Sequence, residues 1–543
     1  MSFTILICIF PALVLAQGKS LDQIIDAKIS AMTVDEKVGQ LFIVGFPNTA
    51  MDKDLHKFIA THKPGAFLLF KRNVHSVQQI TALNASLYQA AYKSSKLPPL
   101  IAIDQEGGAV SRLPIDPAPP NALAIGQTQS PLLAEEMGYQ TGLFLREVGF
   151  NMNLAPVLDV ANPFSTSFIG VRSFGADPEL VKELGVAYSK GLMRSRVIPT
   201  AKHFPGTGDL KADPHTTIVK NVASISSLKA KDLIPFQGYS SLGNNIAVML
   251  SHSIYPALDS SREPASFSSK ISTNLLRDDL KYKGLVVTDD LQMKGSKQLL
   301  RPEMAALKAI KAGADIVMLT WSFADQEKAI RTVRKAVVDK EISAKELNAK
   351  LHRILMVKAF ANIYKKDPAL PSFISSGSLS SKQYADLEDQ VLSQNIKSNL
   401  IARSLPGKAK KLRAPASLKK VCALSPTKDF LNSFVSATTA KVLTYRIAND
   451  SDATEIMQWS EGRCPVVILA VTGKKTAKLL RALPNDLKKK TIVVNLGSPG
   501  LIPKEGPYRK LIQLYFNHKD SGKKVAEHLN EILGLTSPPV AKN

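Results

Sequence analysis

The chain has 543 residues, 45% hydrophobic and 21% charged, with 70 Lys+Arg against 46 Asp+Glu and a formal net charge of +24. An apolar share of that size excludes a disordered chain, and 30 Gly exclude a collagen-like one. The length suits three or four domains of about 150 residues, or two large ones, because a (β/α)8 barrel uses about 250 residues in a single domain.

The positive balance is uneven. Residues 401–543 hold 25 Lys+Arg against 10 Asp+Glu, whereas residues 1–400 hold 45 against 36. These C-terminal lysines are scattered among apolar runs, without the interleaved aromatic residues on which single-stranded nucleic acids stack. A solvated basic surface is expected, and no nucleic-acid partner.

In chain order, residues 3–16 (FTILICIFPALVLA) form an apolar run too short to span a bilayer of about 30 Å as a helix. The run has the character of a secretory signal ending at Ala16, although Met1-Ser2 carry no positive charge. A signal peptide over 1–16 is expected, and with it a secreted or periplasmic location in the cell envelope. Cleavage would remove Cys8 and leave Cys422 and Cys464, as one disulfide or two thiols. No later run reaches 18 apolar residues, so no transmembrane segment is expected after the signal.

From residue 40, short apolar runs alternate with longer helical segments. The eight runs are Gln40 to Phe46, Gly65 to Phe70, Leu100 to Gln105, Asn151 to Leu158, Val197 to Phe204, Ile246 to His252, Gly284 to Asp290 and Ala314 to Thr320. Near-continuous apolar strands separated by helices imply a parallel sheet covered on both faces. Eight of them within about 280 residues predict a (β/α)8 TIM barrel rather than an open sheet. Thr33 to Glu36 has capping-box spacing, and residues 301–313 open near Pro302 and close on Gly313, which predicts two helix boundaries.

Residues 366–415 are richer in Pro and Ser and read as a linker with a connecting helix near 383–403. A second unit over 416–543 has five apolar runs, Lys420 to Leu424, Lys441 to Arg446, Pro465 to Val471, Thr491 to Leu496 and Lys510 to Tyr515. They predict a smaller α/β three-layer sandwich after a catalytic barrel over 17–365.

Barrel chemistry sits at the C-terminal strand ends, so the polar residues there are the candidates. Strand three ends in Asp104-Gln105-Glu106, strand four is followed by Asp159, strand five ends in Lys202-His203, strand six in His252 and strand seven in Asp289-Asp290. Carboxylates and cations converging on one rim suit a substrate with many hydroxyls, each needing a donor or acceptor. After strand five, Pro205-Gly206-Thr207-Gly208 makes a turn, and Asp213 stands two residues before His215. That pair could act as a dyad in which the carboxylate orients an imidazole able to donate and accept a proton. No Cys/His metal spacing is present, and neither a metal nor a cofactor is expected.

Ala201 to Asp209 (AKHFPGTGD), Asp213-Pro214-His215, Ile103 to Gly108 (IDQEGG) and Thr288 to Met293 (TDDLQM) resemble segments of family 3 glycoside hydrolases, and more narrowly of bacterial β-N-acetylglucosaminidases acting on peptidoglycan fragments. Asp232 to Phe236 (DLIPF) and Gly170 to Gly175 (GVRSFG) match as well, in consistent order over about residues 33–360. The resemblance implies a retaining double displacement with Asp289 as nucleophile and a His215–Asp213 acid/base dyad. It implies sugar binding by Asp104, Arg112, Arg172, Lys202 and His203. For Arg112 an ion pair with Asp104 or Glu106 is the alternative, and Asp290 is expected to point away from Asp289 and to cap the following turn. Where the family commonly has His and Ser, this chain has Thr207 and Pro214.

The implied activity is exo-hydrolysis of terminal N-acetylglucosamine from muropeptides or chitooligosaccharides. The alternatives are a family 3 β-glucosidase, a β-N-acetylglucosaminide phosphorylase, or a wall-binding protein without catalysis. Attraction of the basic C-terminal unit to anionic wall polymers is a further expectation.

Overall fold

The computed structural model describes residues 20–115, 119–162, 167–210, 218–293 and 299–361, and towards the C-terminus 386–387, 389–395, 420–437, 441–447, 453–460, 465–497, 502, 510–514 and 521–528. Eight parallel strands close into a barrel: β1 (Phe42–Val44), β2 (Ala66–Leu69), β3 (Leu100–Ile103), β4 (Met152–Asn153), β5 (Ile198–Phe204), β6 (Ala247–Leu250), β7 (Leu285–Asp290) and β8 (Ile316–Leu319). The ring closes where β1 pairs with β8, Val44 opposite Leu319. All eight expected runs form strands. Their side chains are buried whichever way they point, because one face packs the barrel interior and the other the helices.

β4 is shorter than its apolar run. Pro156 has no N–H to give the ladder, and beyond it only an isolated bridge, Val157 with Lys202, continues the pairing. Two site-bearing strands are irregular at their ends. The register of β5 against β6 shifts between Ala201 and Phe204, and that of β7 against β8 shifts between Val287 and Asp290. Such shifts re-aim side chains beside functional sites.

The helix ends follow from local chemistry. The Thr33 hydroxyl accepts from the Glu36 amide while the Glu36 carboxylate accepts from the Thr33 amide, the expected capping box. The helix Pro302–Ala312 joins β7 to β8, opens on proline and stops at Gly313, whose φ of 128° favours glycine. At the base of the barrel, opposite the predicted site, Asp315 accepts from Arg277 at 2.6 Å, from Arg353 at 2.7 Å and from the Val286 amide at 2.8 Å. This clamp ties the helix Ala344–Phe360 to the strands and serves the fold.

The C-terminal residues form a second parallel sheet from β9 (Lys420–Ser425), β10 (Lys441–Arg446), β11 (Val467–Val471), β12 (Thr491–Asn495) and β13 (Lys510–Gln513), in the order β10-β9-β11-β12-β13. That is a doubly wound order. Helical residues 389–395 connect the two parts: Gln394 donates to the Thr128 carbonyl at 2.8 Å, and Lys524 pairs with Asp389 at 2.8 Å. Cys422 is disulfide-bonded, while Cys464 and the expected signal peptide lie outside the described residues. Among the described residues, no helix is long and apolar enough to cross a membrane.

Candidate active site

The C-terminal rim of the barrel carries a cluster of buried charges built from three strand ends. After β3 the chain folds back on itself. Glu106 N–H donates to the Val110 carbonyl, Gly107 and Gly108 take positive φ, and the Gln105 carboxamide oxygen accepts from the Arg112 amide at 2.9 Å. The fold-back sets Asp104, Glu106 and Arg112 on one side of the turn.

From β5, Lys202 reaches across the barrel mouth. Its ammonium lies 2.8 Å from Asp104 Oδ1 and 2.6 Å from Glu106 Oε1, with its side chain only 3% exposed. Arg172 grips the same Glu106 in a fork, Nε and Nη2 each at 2.8 Å. Such bidentate pairs fix orientation as well as charge. Burial alone would raise the Glu106 carboxyl, but Arg172 and Lys202 outweigh it and hold the group well below the usual carboxylate range. Burial would likewise lower Lys202, and Asp104 and Glu106 reverse the sign. Arg112 Nη2 sits 3.8 Å from Asp104 Oδ2, so the ion-pair alternative is present in the structure.

His203 is buried, with Nδ1 2.7 Å from Asp159 Oδ2, and Asp159 Oδ1 accepts from the Thr207 amide at 2.7 Å. Burial pushes Asp159 up, but His203 and Thr207 bring it below its ordinary value. One carboxylate thereby holds both the ring and the turn that leads towards Asp213 and His215. Those two residues lie outside the described ones. His252 spans Ser266 Oγ at 2.8 Å and the Asp290 carbonyl at 3.2 Å, which makes it a brace of the rim.

Asp289 and Asp290 both line the cavity, at the point where the register of β7 against β8 shifts. Their surroundings still separate them. Asp290 is 6% exposed, accepts from the Gln292 amide at 3.0 Å as the expected cap, and accepts from the Thr320 hydroxyl of the β8 end. Burial raises it to about 6, with Asp289 adding to the rise. Asp289 is the more exposed of the two and accepts from the Asp290 amide at 2.8 Å.

The cavity these groups line is about 210 Å³. Asp104, Arg112, Arg172, Lys202, His203 and Asp289 all line it, together with Glu106. Met249, Met318 and Leu154 form an apolar floor, and Phe70 and Trp321 stand at the wall. Charged groups around an apolar floor suit one small polyhydroxylated ring.

Glu106, one of the polar residues that end strand three in the sequence, is the hub of the cation pair. Two contributors, Arg72 and Trp321, were not singled out from the sequence. They follow β2 and β8, and no local pattern marks them. Among the described residues, no group of three or more His, Cys, Asp or Glu could hold a metal ion.

The glycosyl hydrolase family 3 N-terminal domain matches residues 33–357. Beta-hexosaminidase A of Pseudoalteromonas piscicida is 32% identical over 332 residues, which is 57% of this chain and 56% of that protein. An uncharacterized secreted glycosyl hydrolase of Arthroderma benhamiae is 33% identical over 310 residues, 55% of this chain and 86% of that protein. The solved family 3 beta-N-acetylglucosaminidase of Paenibacillus sp. str. FPU-7 superposes with a TM-score of 0.79 at 28% identity, covering 92% of this chain and 97% of that one. With a family match over more than half of its length and a closed barrel whose rim gathers carboxylates and cations, the chain belongs to glycosyl hydrolase family 3, the family 3 glycoside hydrolases.

Proposed function

We propose that this protein is a retaining exo-β-N-acetylglucosaminidase that removes terminal N-acetylglucosamine from short oligosaccharides, peptidoglycan-derived fragments or chitooligosaccharides. The observation that carries the reading is the small cavity at the barrel rim, lined by Asp289 and by the Asp104–Lys202–Glu106–Arg172 cluster. A cavity of about 210 Å³ suits one sugar ring at a chain end.

In this mechanism Asp104 accepts hydrogen bonds from ring hydroxyls, while Lys202, Arg172, Arg112 and His203 hold its orientation or donate to the sugar. Asp289 attacks the anomeric carbon as the glycosidic bond breaks, giving a covalent glycosyl-enzyme. His215, oriented by Asp213, gives its proton to the departing oxygen. The neutral imidazole then takes a proton from water, whose oxygen displaces Asp289 and regenerates the carboxylate. Asp290, largely committed to the Gln292 amide and Thr320 hydroxyl, supports the strand end and is not the attacking group.

The test is turnover of nitrophenyl N-acetyl-β-glucosaminide against the matching glucoside, with and without phosphate. Faster cleavage of the glucosaminide, released as free sugar at an unchanged rate in phosphate, is expected. Preference for the glucoside, or a sugar phosphate as product, would replace this reading by the glucosidase or the phosphorylase.

The proposed location is outside the cytoplasm, on the apolar run at residues 3–16 and the likeness to a secreted hydrolase. The excess of 25 Lys+Arg over 10 Asp+Glu in residues 401–543 supports attraction to anionic wall polymers. Co-sedimentation with purified walls should then fall as salt is raised, and salt-independent retention would refute it.

A further inference from the structure

Trp321 is 61% exposed in the lining of a cavity whose other walls are buried or half-buried. Leaving an indole in water forgoes the free energy of burying it, so a fixed, exposed one at a pocket mouth calls for a ligand. Its support is unusually complete. The Arg72 guanidinium lies 4.4 Å from the Trp321 ring centre and 4.3 Å from that of Phe70, placing the cation against both rings. Arg72 is itself pinned, with Nη2 donating to the Thr320 carbonyl at 2.8 Å and Nε to the Phe46 carbonyl at 3.3 Å. The Trp321 amide donates to Gln292 Oε1 at 2.7 Å, and Gln292 Nε2 donates to Asp325 at 2.9 Å. Backbone and ring are thus both anchored, which lowers the ordering cost of binding against them.

From this we infer that Trp321 is an aromatic platform for the leaving-group side of the substrate, stacking on the second pyranose of a β-linked disaccharide while the terminal sugar occupies the charged cavity. A pyranose with equatorial substituents presents axial C–H groups as a flat apolar face, and an indole is the side chain that matches it in area. A ring locked in the opposite chair by an internal 1,6-anhydro bridge turns its substituents axial and lacks that face. The platform therefore selects an ordinary equatorial hexosaminide in the second position, as in chitooligosaccharides. The inference rests on the proposed glucosaminidase activity and sharpens its substrate class.

The experiment compares kcat/KM for N,N′-diacetylchitobiose with that for methyl N-acetyl-β-glucosaminide in wild type, Trp321→Ala and Trp321→Phe. The ratio of the two should fall about tenfold in Trp321→Ala, mainly through KM for the disaccharide, and only about twofold to threefold in Trp321→Phe. An unchanged ratio, at whatever absolute activity, would overturn the platform. Because the protein has two Trp, Trp321 and Trp459, Trp459→Phe leaves Trp321 as the single indole reporter. Its emission should shift on titration with the uncleaved thio-linked disaccharide and not with N-acetylglucosamine alone. If wild type cleaves neither glycoside, the activity reading fails, and the titration still decides the platform: no emission shift refutes it.

Discussion

Single residues at the rim are set by competition between burial and charge. Glu106 is 9% exposed, and burial alone would raise its carboxyl, yet two cations within 2.8 Å hold it well below the usual carboxylate range. Asp232 shows the opposite outcome. It lies 5% exposed beneath the turn that carries Gly206 and Gly208, and burial, with Asp159 and Asp209 adding to it, raises its carboxyl to about 7 against the pull of Lys231. An ordinary aspartate in the unfolded chain titrates near about 4. Between those values the folded protein binds more protons than the unfolded one, so this group's contribution to stability is present at low pH and is lost as pH rises through about 7. Asp232→Asn should remove that slope. Denaturant unfolding at pH 5 and pH 8 should show wild type losing on the order of 2 kcal/mol more than the variant across the interval. Equal losses would show that Asp232 titrates normally.

At the scale of elements, the strands were legible because a barrel buries both their faces, which writes each as an apolar run with polar residues at its end. The same logic placed Asp104, Lys202 and His203 at strand ends. It could not place Trp321 and Arg72, whose meeting depends on β1 pairing with β2 on one side and with β8 on the other, a contact between residues far apart in sequence. Nor could alternation foresee that both Asp289 and Asp290 reach the cavity, because a register shift leaves no local sequence mark. Helix packing was equally silent. The helices Pro131–Glu147 and Pro178–Arg194 touch backbone to backbone, and a Cβ on Gly191 would stand 1.9 Å from the Glu135 carbonyl oxygen and 2.5 Å from the Tyr139 amide nitrogen. Alanine in a helix gains about 1 kcal/mol over glycine in propensity, whereas overpacking costs about 1–3 kcal/mol and here meets backbone that cannot rotate away. Gly191→Ala should therefore lower stability by about 2 kcal/mol, seen as a lower urea midpoint at constant m-value. A neutral or stabilised variant would mean the helices slide apart at little cost.

Across the whole molecule, charge and chemistry are divided. The barrel holds one group of charges buried and paired in its cavity, Asp104, Glu106, Arg172 and Lys202, while the excess of lysine and arginine belongs to residues 401–543 and is scattered along the chain. The net charge of +24 is thus carried mostly outside the barrel that holds the site. In the proposed mechanism Asp289 forms a covalent bond to the sugar. Incubation with 5-fluoro-N-acetylglucosaminyl fluoride slows breakdown of such an intermediate, and intact-protein mass spectrometry followed by peptide mapping locates it. One added glycosyl group on Asp289 is the expected result. A label on Asp290, or turnover of the reagent by Asp289→Ala at the wild-type rate, would contradict the account.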